Sequence, residues 1–153
     1  MGIKHFFNIY SPRKIWSKVC LSIANLPMFP TIRPKIIKLA GVDVDGSAWI
    51  YRNVTFDRVA PDHIHIGNGT TITEGCKILT HYLDPNFHGR RYRIGEVWIG
   101  DNVFLGVNVV ICNSVNVGNG AIVGAGSIVT NDIPPYEVWA GNPARFIKKR
   151  PTK

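Results

Sequence analysis

Five histidines are the residues best suited to move a proton near neutral pH, and their placement separates them. His5 sits in a basic leader with no partner for chemistry. His63 and His65 alternate with Ile64 and Ile66, so both point one way, outward if the isoleucines point in. That pair is expected to be solvated surface or a contact between subunits. His81 stands where a regular pattern breaks, shortly before Asp84-Pro85, and His88 lies inside the irregular stretch that follows. A three-histidine metal site needs ligands converging from neighbouring turns of the chain. Nothing after His88 supplies one, so no metal is expected. No Ser or Cys beside His81 reads as a covalent nucleophile. A lone histidine at the rim of a groove can instead be a general base, and a direct transfer in which His81 deprotonates an acceptor hydroxyl is the simpler expectation.

Three cysteines, Cys20, Cys76 and Cys112, form an odd count without metal-ligand spacing. This usage suits a reducing cytoplasm. No apolar run approaches the length of a membrane span. Met1-Gly2 lacks the Ser or Thr at position 6 that N-myristoylation requires.

The element that must position these residues runs from Ile99 to Ile133. Every sixth residue is aliphatic: Ile99, Leu105, Ile111, Val117, Val123, Val129. The residue after each is small or turn-tolerant: Gly100, Gly106, Cys112, Gly118, Gly124, Thr130. Neither a strand, with period two, nor a helix, with 3.6, sends one residue inward every six. A chain that bends every six residues, closing a three-sided coil in about eighteen, does. The aliphatic column fills the interior, and each coil pairs with the next as short parallel strands.

Earlier, the same phase gives Val44, Ile50 and Phe56, slips through Val59-Ala60-Pro61-Asp62, and resumes at Ile66, Ile72 and Ile78. From Ile78 to Ile99 the spacing is twenty-one, three more than a full coil, and Asp84 to Arg93 is expected to loop out. An insertion in a regular solenoid is where function tends to sit. Before the coils, Ser11-Pro12 starts a helix whose apolar face is Ile15, Val19, Ile23 and Leu26, beside Trp16 and Cys20. A second short helix starts near Pro34 and stops at Gly41. These helices are expected to cover the open first coil. Pro134-Pro135 ends the repeat, and Val138 to Lys149 turns back. Three segments result: a basic helical cap over 1–43, the coil over 44–135 with a looped-out segment at about 84–95, and a return segment with a basic tail over 136–153.

Formal net charge is +8, and it is carried by the ends. Residues 1–40 hold seven Lys/Arg and no acid, and 144–153 hold five and no acid, while 41–143 hold six basic against ten acidic residues. A nucleic-acid reader spreads its basic stripe over the folded body, so no nucleic-acid partner is expected. Polyphosphate ligands and peripheral contact of the basic N-terminus (Arg13, Lys14, Lys18) with anionic lipid both fit.

The runs Ile99-Gly100-Asp101-Asn102-Val103-Phe104-Leu105-Gly106 and Gly124-Ala125-Gly126-Ser127-Ile128-Val129-Thr130-Asn131-Asp132-Ile133-Pro134-Pro135, closing on Ala140-Gly141-Asn142-Pro143-Ala144-Arg145, carry a likeness. They resemble the left-handed β-helix acyltransferases, and within them the galactoside, maltose and serine acetyltransferases and their polysaccharide O-acetyltransferase relatives. The likeness is strong from about Ile64 to Lys149. The closing motif marks the coenzyme A-using branch, and the hexapeptide marks the fold. The resemblance implies an all-β solenoid, a left-handed parallel β-helix with short N-terminal helices, assembled as a homotrimer with sites between neighbouring subunits. It implies an acetyl-coenzyme A-dependent O-acetyltransferase acting on a sugar of a glycan or its precursor. His81 matches the catalytic histidine. The Val107 N–H after Gly106 matches the thioester-carbonyl donor, Ala125 and Thr130 line the coenzyme, and Arg145 and Lys148 face its phosphates. The acceptor-contacting asparagine falls at Tyr51, with Asn53 nearby, and Asp84 is a candidate to orient His81. Serine O-acetylation, N-acylation of an aminosugar nucleotide and a non-catalytic scaffold subunit are the other readings.

Overall fold

The aliphatic column is buried from end to end: Val44, Ile50, Ile72, Ile78, Leu105, Ile111, Val117, Val123 and Val129 are each at most 1% exposed. In the computed structural model, which describes residues 11–84 and 86–151, this column is the axis of three parallel sheets. His5 and Met1-Gly2 lie outside the described residues.

The chain visits the sheets in rotation. The first holds β1 (Asp43–Val44), β4 (Ile64–Ile66), β9 (Val97–Ile99) and β12 (Val115–Val117). The second begins with β2 (Trp49–Ile50), β5 (Thr71–Ile72), β10 (Phe104–Leu105) and β13 (Ile122–Val123). The third holds β3 (Thr55–Phe56), β6 (Lys77–Ile78), β11 (Val110–Ile111) and β14 (Ile128–Val129). Backbone bonds link coil to coil, as from Gly100 N–H to Val117 O at 2.9 Å and from Gly106 N–H to Val123 O at 2.8 Å. Asparagines with positive φ turn the corners at Asn53, Asn102, Asn108 and Asn113, in a conformation that Asn tolerates better than most residues.

Register shows where the repeat is interrupted. Val110 pairs with Ile128, one regular coil of eighteen residues on. Thr55 pairs with Lys77, twenty-two on, and Lys77 with Val110, thirty-three on. The second coil therefore carries fifteen extra residues, not the three read from the spacing. The residue after Ile78 in the column was due six positions on, in the next sheet, rather than after a whole turn. The insertion also has structure of its own: β7 (His81–Leu83) and β8 (Tyr92–Ile94) pair antiparallel as a hairpin. The four extra residues of the first coil make a bend at 57–60 and lead into a short 3₁₀ turn, Pro61–His63. His63 therefore lies in that turn and not on the strand with His65.

Two helices, α1 (Pro12–Ile23) and α2 (Arg33–Leu39), cover the first coil through Cys20, Leu21, Ala24, Ile37 and Ala40. Ser11 stands at the N-cap position of α1 without a side-chain capping bond. Arg33, 3% exposed, ties the cap down. Its guanidinium donates to Ala24 O at 2.9 Å and Leu26 O at 3.1 Å, carbonyls at the end of α1, and to Ile50 O of β2 at 3.3 Å. The expected apolar face of α1 is not the buried one. Ile15, Trp16, Val19, Ile23 and Leu26 are exposed, and the smaller Ser17, Cys20 and Ala24 with Leu21 face the coil. Small side chains let the helix approach the coil closely, which the larger stripe would prevent.

The return segment is a hairpin. β15 (Glu137–Ala140) adds to β13 in parallel, and β16 (Arg145–Lys149) folds back antiparallel on β15 as the outermost strand of the second sheet.

Candidate active site

Phe56 and Ile78 are paired in the third sheet, so the residues just beyond them occupy one corner of the coil. There the bend of the first coil meets the base of the hairpin. Asp57, whose side chain is fully buried, accepts through Oδ2 from Thr80 N–H at 2.8 Å, Thr80 Oγ1 at 2.8 Å and His81 N–H at 2.9 Å. The same oxygen lies 2.6 Å from His81 Nδ1, and Oδ1 accepts from Val59 N–H at 2.8 Å. Burial pushes this carboxyl up. The Val59 amide, the His81 ring and the Thr80 hydroxyl and amide outweigh it, and the pKa falls to about 2.

An ionised carboxylate only accepts, so Nδ1 of His81 carries the hydrogen of that contact. The neutral ring then presents its lone pair on Nε2, on a side chain 35% exposed. Tyr92 of β8 flanks the ring, with centroids 6.0 Å apart. A ring held in one tautomer on a partly exposed side chain has the chemistry to take a proton at Nε2.

Asp57 is the residue that sequence reasoning missed. Asp84, the expected orienting group, serves the hairpin instead. Its buried Oδ2 pairs with Arg91 and Arg93, each at 3.0 Å, and Oδ1 accepts from Asn86 N–H at 3.1 Å. Burial raises its pKa, while the Asn86 amide and the two arginines more than offset this and hold it below the usual range. The signal for Asp57 was the slip after Phe56, because a slip and a break in neighbouring coils fall at the same corner.

The other histidines are otherwise engaged or placed. Both ring nitrogens of His65 face carboxylates at 3.0 Å, Asp43 Oδ2 and Glu96 Oε2, and the ring stacks on Trp98 at 3.6 Å. His63 Nδ1 lies 2.7 Å from Glu96 Oε1. His88 is exposed towards the hairpin tip. Among the described residues no group of three His, Cys, Asp or Glu is arranged to hold a metal ion.

The residues matched to the coenzyme lie elsewhere. Gly106-Val107 and Ala125 turn stacked corners between the second and third sheets. A Cβ on Gly106 would stand 2.6 Å from Ala125 N, so only glycine lets these coils close up. Neither Val107 N–H nor Ala125 N–H donates to an acceptor among the described residues, so both corners carry an unpaired backbone donor. Thr130 follows β14. On β16, Arg145 pairs with Ala140 and Lys148 with Val138, and both residues are exposed. Tyr51, exposed, follows β2, while Asn53 Nδ2 donates to Glu74 Oε1 at 3.0 Å, beside Arg52.

Within one chain, base and amide do not meet. Val110 pairs with Lys77 and Asn108 N–H bonds Glu74 O, so Val107 stands level with the turn before β6, while His81 lies beyond the end of β6. Gly75 to Thr80, with β6 among them, lie between Glu74 and His81, so the two stand at opposite ends of one side of the coil.

Residues 96–131 match a family model described as the hexapeptide repeat of succinyl-transferase. No curated protein sequence matches the chain. Among solved structures, a maltose O-acetyltransferase from Clostridium difficile 630 is 26% identical, with 92% of this chain and 87% of that one covered at a TM-score of 0.72. A galactoside acetyltransferase in complex with coenzyme A is 29% identical over 90% of this chain and 80% of that one, with a TM-score of 0.68. A hexapeptide-repeat acetyltransferase of Vibrio cholerae O1 biovar eltor, complexed with acetyl coenzyme A, shares the fold at 21% identity, with 92% and 88% covered and a TM-score of 0.70. The matching repeat, the parallel sheets visited in rotation and a likeness that spans at least 90% of the chain make this chain similar to the hexapeptide-repeat acetyltransferases.

Proposed function

We propose that this acyltransferase moves an acetyl group from acetyl coenzyme A to a hydroxyl of a sugar, in a glycan or its precursor, with His81 as general base. The observation that carries the reading is the Asp57–His81 pair, a buried anion that fixes an outward-facing Nε2. Likeness to the maltose and galactoside enzymes supports a sugar acceptor over other hydroxyl carriers. In the reaction His81 Nε2 takes the acceptor proton as the hydroxyl oxygen bonds the thioester carbon. The Val107 N–H holds the oxyanion that forms. Collapse breaks the carbon–sulfur bond, and the imidazolium returns its proton to the leaving thiolate.

In this reading the coil winds left-handed and the protein works in the cytoplasm as a homotrimer. The gap between His81 and Val107 within one chain supports that assembly, since a neighbour's corner supplies the missing half. Ala125, Thr130, Arg145 and Lys148 cradle the coenzyme, and Tyr51 contacts the acceptor. Asn53 and Asp84, held by internal partners, are scaffold. Segment 1–43 caps the coil, 44–135 carries the chemistry, and 136–153 closes the coil and meets the coenzyme phosphates.

Thiol release from acetyl coenzyme A, measured over a panel of sugars and nucleotide sugars, tests this. His81→Ala should lower turnover at least about a hundredfold while coenzyme affinity and thermal stability hold. Full activity in His81→Ala, with loss in His88→Ala, would mean the hairpin rather than the coil carries the base.

A further inference from the structure

We propose that the outer face of α1 docks on an anionic lipid bilayer. Ile15, Trp16, Val19, Ile23 and Leu26 form one stripe at helical spacing, and each is between 41% and 55% exposed. The helix does not need this stripe to hold its place, because Cys20, Leu21 and Ala24 on its other side already seal the first coil. A water-soluble helix rarely keeps an aromatic and four aliphatic side chains in one exposed row without a use for them.

Charge selects the occupant. Arg13, Lys14 and Lys18 lie on the same helix, Arg13 at 4.0 Å from Asp62, the exposed Lys35 and Lys38 follow on α2, and residues 1–40 hold no acidic residue. A second copy meeting this face across a two-fold axis would set cations against cations, and a different face meeting it would have to supply both acids and an apolar groove. An anionic bilayer instead takes the apolar stripe into its interface and the cations among its headgroups. No helix among the described residues is long and apolar enough to cross a membrane, so the contact is one of lying on the surface.

The docked face is also close to the site. Arg58 Nη2 donates to Ser22 Oγ of α1 at 3.5 Å, and Arg58 follows Asp57 directly. On the acyltransferase reading, docking brings His81 to acceptors carried at the bilayer. The vesicle measurement below stands whether or not that reading holds.

The full chain is sedimented with vesicles of phosphatidylcholine alone and of phosphatidylcholine with phosphatidylglycerol in equal parts. Binding to the anionic vesicles should exceed binding to the neutral ones by at least about tenfold and weaken with added salt. Tryptophan emission should shift to shorter wavelength on binding, and Trp16→Phe should abolish the shift. Val19→Glu with Ile23→Glu should release the protein from the vesicles while its thermal unfolding stays that of the parent. Three results overturn the proposal. One is no anionic preference. Another is undiminished binding by the double glutamate variant, which would assign the attachment to the basic ends alone. The third is a fall in assembly mass for that variant in light scattering, which would make the stripe a seat for a second copy.

Discussion

Asp57 uses both carboxylate oxygens inside the protein, on a hydroxyl, three backbone amides and the imidazole of His81. Replacing it with Asn keeps the shape but offers a donor where an acceptor is needed. Asp57→Asn should therefore reduce turnover by about ten- to a hundredfold and leave coenzyme affinity intact, as expected when a histidine loses the group that orients it. Acid stability should change too. The folded pKa lies below the ordinary carboxylate value, so ionised Asp57 stabilises the fold fully above about pH 4. That contribution, about 1–2 kcal/mol, disappears as pH falls through about 2. Thermal unfolding followed from pH 5 to pH 2 should show a steeper loss in the parent than in Asp57→Asn. Both aspartates were visible in the sequence, and nearness along the chain favoured the wrong one. Asp84 is three residues from His81 and is taken by Arg91 and Arg93, whereas Asp57 is twenty-four residues away and one coil below. Coil register decides the partner, and the register becomes readable only once both interruptions are measured.

At the scale of elements, the six-residue column was legible because one inward residue per side is a strict packing demand, and the column is buried wherever it was expected. The interruptions were legible in place but not in form, since period alone cannot tell a loop from a hairpin. The cap failed for a different reason. α1 is apolar on two sides, and which side packs depends on how closely the helix must approach the coil, not on which side is greasier. The small column makes a direct prediction. In Gly106→Ala the new methyl meets the Ala125 backbone at 2.6 Å, and backbone cannot swing aside. The variant should lose about 1–3 kcal/mol in denaturant unfolding. Gly46→Ala, with nothing within 4 Å of the added carbon, should unfold like the parent. Equal behaviour of the two would show that the coils are free to slide apart at their corners.

For the whole molecule, the proposed trimer predicts a division of labour between chains, with His81 of one chain serving the coenzyme cradle of its neighbour. His81→Ala and Arg145→Ala should each be poorly active alone. After mixing, unfolding and refolding together they should regain part of the parent activity, because some interfaces then pair an intact His81 with an intact Arg145. Failure to regain any, with mixed assemblies present by mass, would place base and coenzyme cradle in the same chain. The return hairpin has a consequence of another kind. A stack of parallel coils has no natural length, since its last rung offers the same unpaired amides and carbonyls as every rung before it. Here β16 turns antiparallel over that rung and lines it with Arg145, Lys148 and Lys149, as the helices close the opposite end. Deleting 136–153 would leave β13 bare, with Ile122 and Val123 on an open edge. With the helices still closing the other end, such chains should pair open edge to open edge, and light scattering should show about twice the parent's assembly mass, rising with concentration. The turned-back strand is thus a terminator that keeps the last rung from recruiting another.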